Sequence, residues 1–164
     1  MSILQLCASI EASAVGTFVR ESLYGFQALV AIHILGLTVS VGTLVWWDLR
    51  LLGVGMRRVR VSEFYRRLMP WTFGGFAVMF ITGLLLFSGF ATKAYGNIPF
   101  RIKITAQLLA AVNALVYHSV TERRIAEWDD LARPPLGARI AGFTSIVLWA
   151  IVIMCGRLIS YTMF

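Results

Sequence analysis

The sequence has few charged residues, and acidic residues are scarcer than basic ones. Of its 164 residues, 8 are aspartate or glutamate and 15 are lysine or arginine, so charged residues make up only 14% of the chain. Hydrophobic residues make up 59%, and the mean hydropathy is +0.78. Because a typical soluble domain is about 25% charged, this composition excludes an ordinary soluble domain. It predicts a single integral membrane domain over residues 1–164.

The short motifs of common soluble enzymes are also missing. The sequence contains no GxGxxG loop, Walker sequence, HExxH pair or nucleophile elbow. Its two cysteines, Cys7 and Cys155, are far apart and have no CxxC spacing, so they give no metal signature and little support for a disulfide. The net charge of +7 does not predict a nucleic-acid surface, because the basic residues flank apolar segments.

Four apolar segments predict transmembrane helices, since about 20 apolar residues cross about 30 Å of hydrocarbon. The predicted fold class is therefore all-α, an up-down four-helix transmembrane bundle. Residues 1–20 lack the basic start of a signal peptide and predict a short interfacial helix before it. The four spans are expected at residues 23–49, 70–90, 99–121 and 140–161, with Pro70 and Pro99 in the first turns of the second and third.

Lysine and arginine are unevenly divided between the two sides of these spans. Ten lie in the segments that follow the first and third spans, and five lie on the opposite side. By the positive-inside rule, both long loops are expected in the cytoplasm and both termini outside. We therefore expect a multi-pass protein of the bacterial inner membrane.

Each span carries a stripe of small or polar residues at helical spacing. One interpretation is close helix packing, because small residues let helix backbones approach each other in lipid. The other is that small residues on facing helices leave room for a flat cofactor. The stripes are His33, Gly36, Ser40, Thr43 and Trp47 in the first span; Thr72, Gly75, Met79, Thr82 and Gly89 in the second; Gln107, Ala110, Ala111, Ala114 and His118 in the third; and Gly142, Ser145, Trp149 and Gly156 in the fourth.

The only two histidines, His33 and His118, both lie on these stripes. Ionisable groups inside a bilayer are costly and often functional, and a neutral imidazole can bind haem iron. His33 is the first candidate ligand of a b-type haem, with Met79 as a weak axial partner. Counting residues from the expected boundaries places the two histidines roughly 11 Å apart in depth, too far to share one iron. Three roles are open for His118: it binds a second haem, takes up protons for a quinone, or bonds to Glu122.

Three basic residues are expected near the outer ends of the third and fourth spans. Arg101, Lys103 and Arg157 are candidate partners for haem propionates, because ammonium and guanidinium groups bind carboxylates well. The alternative is ordinary snorkelling of long side chains to the interface.

Two stretches of the chain resemble known membrane families. AIHILGLTVSVGTLVWWDLRLLG resembles the first helix of the HemJ-type membrane protoporphyrinogen oxidases, and IKITAQLLAAVNALVYHS resembles their later helix. A similar pattern occurs in CopD-like membrane domains. The resemblance to HemJ implies a small helical protein that binds b-type haem. It also implies that His33 corresponds to the family's first-helix histidine and Lys103 to its functional lysine.

Three functions follow from these observations. The first is a haem-binding, cytochrome-like subunit that exchanges electrons with a periplasmic redox protein. The second is HemJ-like protoporphyrinogen oxidation. The third is a non-redox role, as a metal-handling domain or as a subunit of a larger membrane complex, and an oligomer is left open. An ion path is not expected, because Asp48 is predicted to be interfacial and the other acids lie in loops or termini.

Overall fold

The computed structural model describes residues 2–163, which form helices joined by short turns and loops, without a β-strand in that range. Four of these helices are long and apolar enough to cross a membrane. The expected all-α bundle of four spanning helices is therefore confirmed. In chain order the helices are α1 (Ile3–Glu11), α2 (Ala14–Glu21), α3 (Leu23–Leu52), α4 (Val61–Gly89), α5 (Ala91–Gly96), α6 (Ile98–Val116) and α7 (Leu136–Thr162).

The longest helix, α3, has clear end signals in the sequence. The side chain of Ser22 accepts a hydrogen bond from the Gly25 amide at 3.0 Å, which caps the first turn. At the other end, Gly53 has φ 72°, a left-handed conformation that glycine adopts without steric cost. Between these caps the helix is mostly apolar and contains no proline, so nothing interrupts it.

The second spanning helix starts earlier than the sequence predicts. α4 begins at Val61, so Pro70 lies inside the helix, and the prediction that Pro70 opens it is wrong. The early start depends on Asp129, which comes from a distant loop. Its carboxylate oxygens accept hydrogen bonds from the Ser62 amide and the Ser62 hydroxyl, each at 2.7 Å. A tertiary contact therefore satisfies an N-terminal amide of α4, which the local sequence leaves without a partner.

The spanning helices pack in the order α4, α3, α7, α6. The α3–α4 contact is the most intimate, because Gly36 and Gly75 bring the two backbones together. A Cβ placed on Gly75 would lie 2.7 Å from the Ser40 amide nitrogen and 2.8 Å from the Gly36 carbonyl. Packing of small residues, one of the two interpretations of the stripes, is thus confirmed at this crossing. The helices α4 and α6 lie apart along most of their length.

The two ends of the bundle have different structures. At one end, called the terminal end here, α1 and α2 pack against α4 and α5, so two short helices replace the single one expected. At the other, the loop end, residues 53–60 and 128–135 connect the spans. The fully buried side chain of Arg50 holds these loops together, because its Nε donates to the Val59 carbonyl at 3.0 Å and its Nη2 to the Leu131 carbonyl at 3.3 Å.

Candidate functional site

The gap between α4 and α6 forms a cleft of about 580 Å³ inside the bundle. This volume is within the range of small-molecule and cofactor sites. At the terminal end, the stacked rings of Phe87 and Phe100 close the cleft, with their centroids 5.7 Å apart. At the loop end, Tyr65 and His118 meet edge to face at 5.9 Å. Aromatic contacts between the second and third spans thus bound the cleft at both ends.

Between these two contacts the cleft is open on its side. Phe80 and Leu84 on α4 and Leu108 on α6 line it, yet they are 66%, 54% and 64% exposed. Because these side chains lie on spanning helices, the opening faces the hydrocarbon of the membrane. A ligand that dissolves in lipid can therefore enter directly between α4 and α6.

His33 lines the cleft near its terminal end and is held by α4. Its Nδ1 lies 3.0 Å from the Thr82 hydroxyl oxygen. The Thr82 hydroxyl also lies 2.6 Å from the Val78 carbonyl, and both contacts are satisfied when the hydroxyl donates to that carbonyl and the imidazole donates Nδ1–H to Thr82. In this tautomer Nε2 is the unprotonated nitrogen, and the backbone of Met79 also lies within hydrogen-bonding reach of the ring. A histidine that donates one N–H and keeps the other nitrogen bare is the usual form of a metal ligand.

The surroundings of His33 are small, apolar or basic. Gly83 lies directly against the imidazole, since a Cβ there would be 3.2 Å from His33 Cε1. Met79, one turn away on α4, lines the cleft and is 7% exposed, and it packs with Val41 and Trp149. Lys103 on α6 also lines the cleft and lies close enough to His33 to interact with it electrostatically. The sequence-based candidates His33, Met79 and Lys103 thus occur in one cleft.

His118 lines the same cleft at its opposite end. Along α3, the 14 residues from His33 to Trp47 correspond to about 21 Å, and Trp47 belongs to the ring cluster around His118. The predicted depth difference of roughly 11 Å is therefore too small, and a separation of about 21 Å along α3 is too long for both histidines to ligate one iron. His118 Nδ1 contacts the Glu122 carboxylate, which is the third alternative left open by the sequence.

The remaining two basic candidates lie outside the cleft. Arg101 is on the outer groove between α6 and α7, beside Leu148. Arg157 donates to the Tyr161 hydroxyl at 2.7 Å, and its guanidinium lies 4.8 Å from that ring. The structure therefore does not bring Arg101 or Arg157 together with His33. Helical spacing alone could not reveal this, because it does not say which face of α6 or α7 meets the cleft.

Two residues of the cleft were missed as site residues by sequence reasoning. Asp48, expected at the membrane interface, is only 3% exposed and lines the cleft beside Ser145. The expectation of an interfacial Asp48 is wrong because α3 continues to Leu52 and the loops cover its end. Tyr117 is 4% exposed and also lines the cleft, at the start of a π-helical turn that continues α6. The signal available in the sequence was the position of Asp48 next to the polar stripe.

Comparison with known proteins identifies a family without a described activity. Residues 10–162 match the model of DUF6644, a family of unknown function. No curated protein and no solved structure matches the chain.

Proposed function

Because the chain belongs to DUF6644, a family of unknown function, we propose its function from the cleft itself: the protein binds a b-type haem and transfers electrons in the membrane. The observation that carries this proposal is the orientation of His33. Its Nδ1 lies 3.0 Å from the Thr82 hydroxyl, and the tautomer that donates Nδ1–H to Thr82 leaves Nε2 unprotonated beside a cleft of about 580 Å³. Haem iron needs one or two axial ligands from the protein, and a neutral imidazole is the commonest.

The other residues at this end of the cleft also fit a haem. Lys103 is the one basic side chain among the described residues that line the cleft, and its ammonium group would pair with a propionate. Phe76, Phe80 and Phe87 supply apolar walls for the macrocycle and keep water from the iron. The bound haem would supply one-electron redox chemistry, while the protein sets the ligand, the polarity and the access of water.

Absorption spectroscopy of the detergent-purified protein tests the proposal. We expect haem b to give a Soret band that sharpens on reduction, and His33→Ala to remove it. The matched control is His118→Ala. This second histidine also lines the cleft, but it lies about 21 Å from His33 along the bundle and is bonded to Glu122. A folded wild-type protein that binds no haem, or a His33→Ala variant with an unchanged spectrum, would contradict haem binding at His33.

The proposed topology determines the side of the membrane on which electrons are exchanged. If the arginine-rich loop end faces the cytoplasm, His33 lies toward the outer side of a bacterial inner membrane, where a periplasmic redox protein can exchange electrons with it. Labelling of single cysteines introduced at residue 57 and at residue 95 with a membrane-impermeant thiol reagent tests this orientation. We expect labelling of intact cells at residue 95 only.

A second candidate function is HemJ-like oxidation of protoporphyrinogen. The observation that favours it is that His33 and Lys103 line the same end of one cleft. The resemblance to HemJ implies that these residues correspond to that family's first-helix histidine and functional lysine. We expect the wild-type gene, but neither His33→Ala nor Lys103→Ala, to complement a strain that lacks this oxidation step. Failure of the wild type to complement, with membrane expression verified, would remove the oxidase while leaving haem binding to the spectroscopic test.

A further inference from the structure

Three buried side-chain atoms have no hydrogen-bond partner among the described residues. One is Arg50 Nη1, whose residue does not line the cleft, and the other two lie at the loop end of the cleft. They are Asp48 Oδ2 and the Tyr117 hydroxyl, whose residues are 3% and 4% exposed. Both residues line the cleft. An unsatisfied buried polar atom is costly, and native proteins rarely leave one without a reason. Two such atoms on facing helices, α3 and the continuation of α6, indicate a place where a ligand supplies the missing hydrogen bonds.

The two unpaired atoms limit the kinds of ligand that can bind at the loop end of the cleft. Asp48 Oδ2 can accept a hydrogen bond and the Tyr117 hydroxyl can donate one, and the two side chains lie close enough to interact electrostatically. A single hydroxyl group placed between them would supply both hydrogen bonds. An anionic head group is disfavoured, because it would face the Asp48 carboxyl. The one lysine or arginine in the described lining, Lys103, lies near His33 at the other end, and His118 at this end is already paired with Glu122.

The walls of this end are aromatic. The ring of Trp47 lies 5.3 Å from that of Tyr65 and 6.2 Å from that of Tyr117, in edge-to-face contacts, and Tyr65 meets His118. All four residues line the cleft. Such walls favour a flat aromatic ring over an aliphatic alcohol, because ring edges and faces attract one another. The π-helical turn that begins at Tyr117 is a feature found frequently at functional sites.

We propose that the loop end of the cleft binds the hydroxylated ring of a lipid-soluble quinol between Asp48 and Tyr117. A ring hydroxyl donates to Asp48 Oδ2 and accepts from the Tyr117 O–H. The apolar tail passes into the membrane through the lateral opening beside Leu108, which is 64% exposed. This binding site does not depend on haem at His33, because the two ends of the cleft are about 21 Å apart along α3.

Binding of radiolabelled para-decylphenol to the full chain in lipid nanodiscs tests the proposal, with empty nanodiscs as the background. This probe has the ring, the hydroxyl and a tail, but it does not oxidise during the measurement. Three unlabelled competitors show which part of the probe is recognised. Decylbenzene lacks the hydroxyl, decanol lacks the ring, and decylubiquinol has the hydroxylated ring of a quinol. We expect saturable binding that decylubiquinol displaces and that the other two displace at least about ten-fold less well.

Four variants locate the site. Tyr117→Phe removes the hydroxyl donor, and Asp48→Asn replaces one carboxyl oxygen acceptor by an amide NH2 donor. Each should weaken binding by roughly 3- to 10-fold. Tyr95→Phe, at a 45% exposed tyrosine that does not line the cleft, and His33→Ala should leave it unchanged. Tyr117→Phe should also melt at the same or a higher temperature without ligand, because it deletes an unsatisfied hydroxyl. A purely structural role of Tyr117 predicts a lower melting temperature instead.

The outcomes separate this proposal from haem binding. Any one of four outcomes would overturn the quinol site. They are no saturable binding, equal displacement by decylbenzene or decanol, no displacement by decylubiquinol, and unchanged affinity in both Tyr117→Phe and Asp48→Asn. Loss of probe binding in His33→Ala would also overturn it, since the probe would then occupy the end of the cleft near His33. A wild-type protein that binds the probe but no haem would retain the quinol site and remove the proposed function.

Discussion

His33 on α3 and Thr82 on α4 are joined by a 3.0 Å hydrogen bond between Nδ1 and Oγ1. The contact orients the imidazole, and a Thr82 hydroxyl that donates to the Val78 carbonyl can accept the Nδ1 proton. Since Gly83 presents only its backbone to the same ring, the imidazole lies close against α4. The availability of Nε2 to an iron therefore depends on one threonine of the neighbouring helix.

Thr82→Val is expected to weaken haem binding by about 10- to 100-fold, the usual effect of losing the hydrogen bond behind a ligating histidine. Valine keeps the shape of threonine but cannot accept the Nδ1 proton. Haem titration followed by absorption measures the affinity. The matched control is Thr72→Val, because the Thr72 hydroxyl bonds to Thr43 at 2.7 Å across the same two helices, away from His33. Equal losses in both variants would mean that Thr82 acts through helix packing alone.

Lys103→Gln should weaken haem binding by about ten-fold, because a buried hydrogen bond to a charged group is lost. The same variant should bind haem dimethyl ester as well as the wild type does, since the esterified propionates carry no charge. Arg101→Gln is the control, as this neighbouring cation lies on the outer groove. A ten-fold loss with the ester as well would show that Lys103 does not contact a propionate.

The adjacent glycines Gly74 and Gly75 should respond differently to alanine. A Cβ on Gly75 would lie 2.7 Å from the Ser40 amide, whereas one on Gly74 meets nothing within 4 Å. Gly75→Ala should force α3 and α4 apart and destabilise the protein by about 1–3 kcal/mol, and Gly74→Ala should have little effect. Unfolding in mixed detergent micelles measures both changes. A stable Gly75→Ala variant would contradict the close crossing of these helices.

Docking of the N-terminal helices should depend on pH through Glu11. Hydrogen bonds from the Thr92 side chain and then from its amide lower the pKa of Glu11 below its ordinary value of 4.5, burial opposes this effect, and Arg20 adds to it. Because the pKa is lower in the folded protein, the contact contributes stability above pH 4.5. That contribution is lost as the pH falls through the lowered pKa.

Hydrogen exchange of the α1 amides, corrected for the intrinsic rate at each pH, measures this dependence. We expect faster exchange under acid in the wild type. In Glu11→Gln, exchange should already be faster at neutral pH and change little on acidification. Glu21→Gln is the control, because its carboxylate is 69% exposed. The same acid response in wild type and Glu11→Gln would show that another group controls the docking of α1.

The sequence by itself determined the class of the protein and the inward face of most spans. Apolar runs long enough for a bilayer produce four helices whatever their neighbours are, because backbone hydrogen bonds must be satisfied within each segment. Helical periodicity also placed the stripe of α4 correctly: the predicted residues Thr72, Gly75, Met79, Thr82 and Gly89 are all buried. His33 and Lys103 were predicted as site residues from residue type and position, and they line one cleft.

Only the tertiary structure decided which helices are neighbours, and this choice creates the cleft. Periodicity gives the direction of a stripe around its own helix but not the partner that it faces, so the gap between α4 and α6 has no sequence signal. For the same reason Arg101 and Arg157 were grouped with His33, although they point elsewhere. The burial of Asp48 depends on loops that the distant contacts of Arg50 hold over the end of α3, and a single chain segment does not encode such contacts.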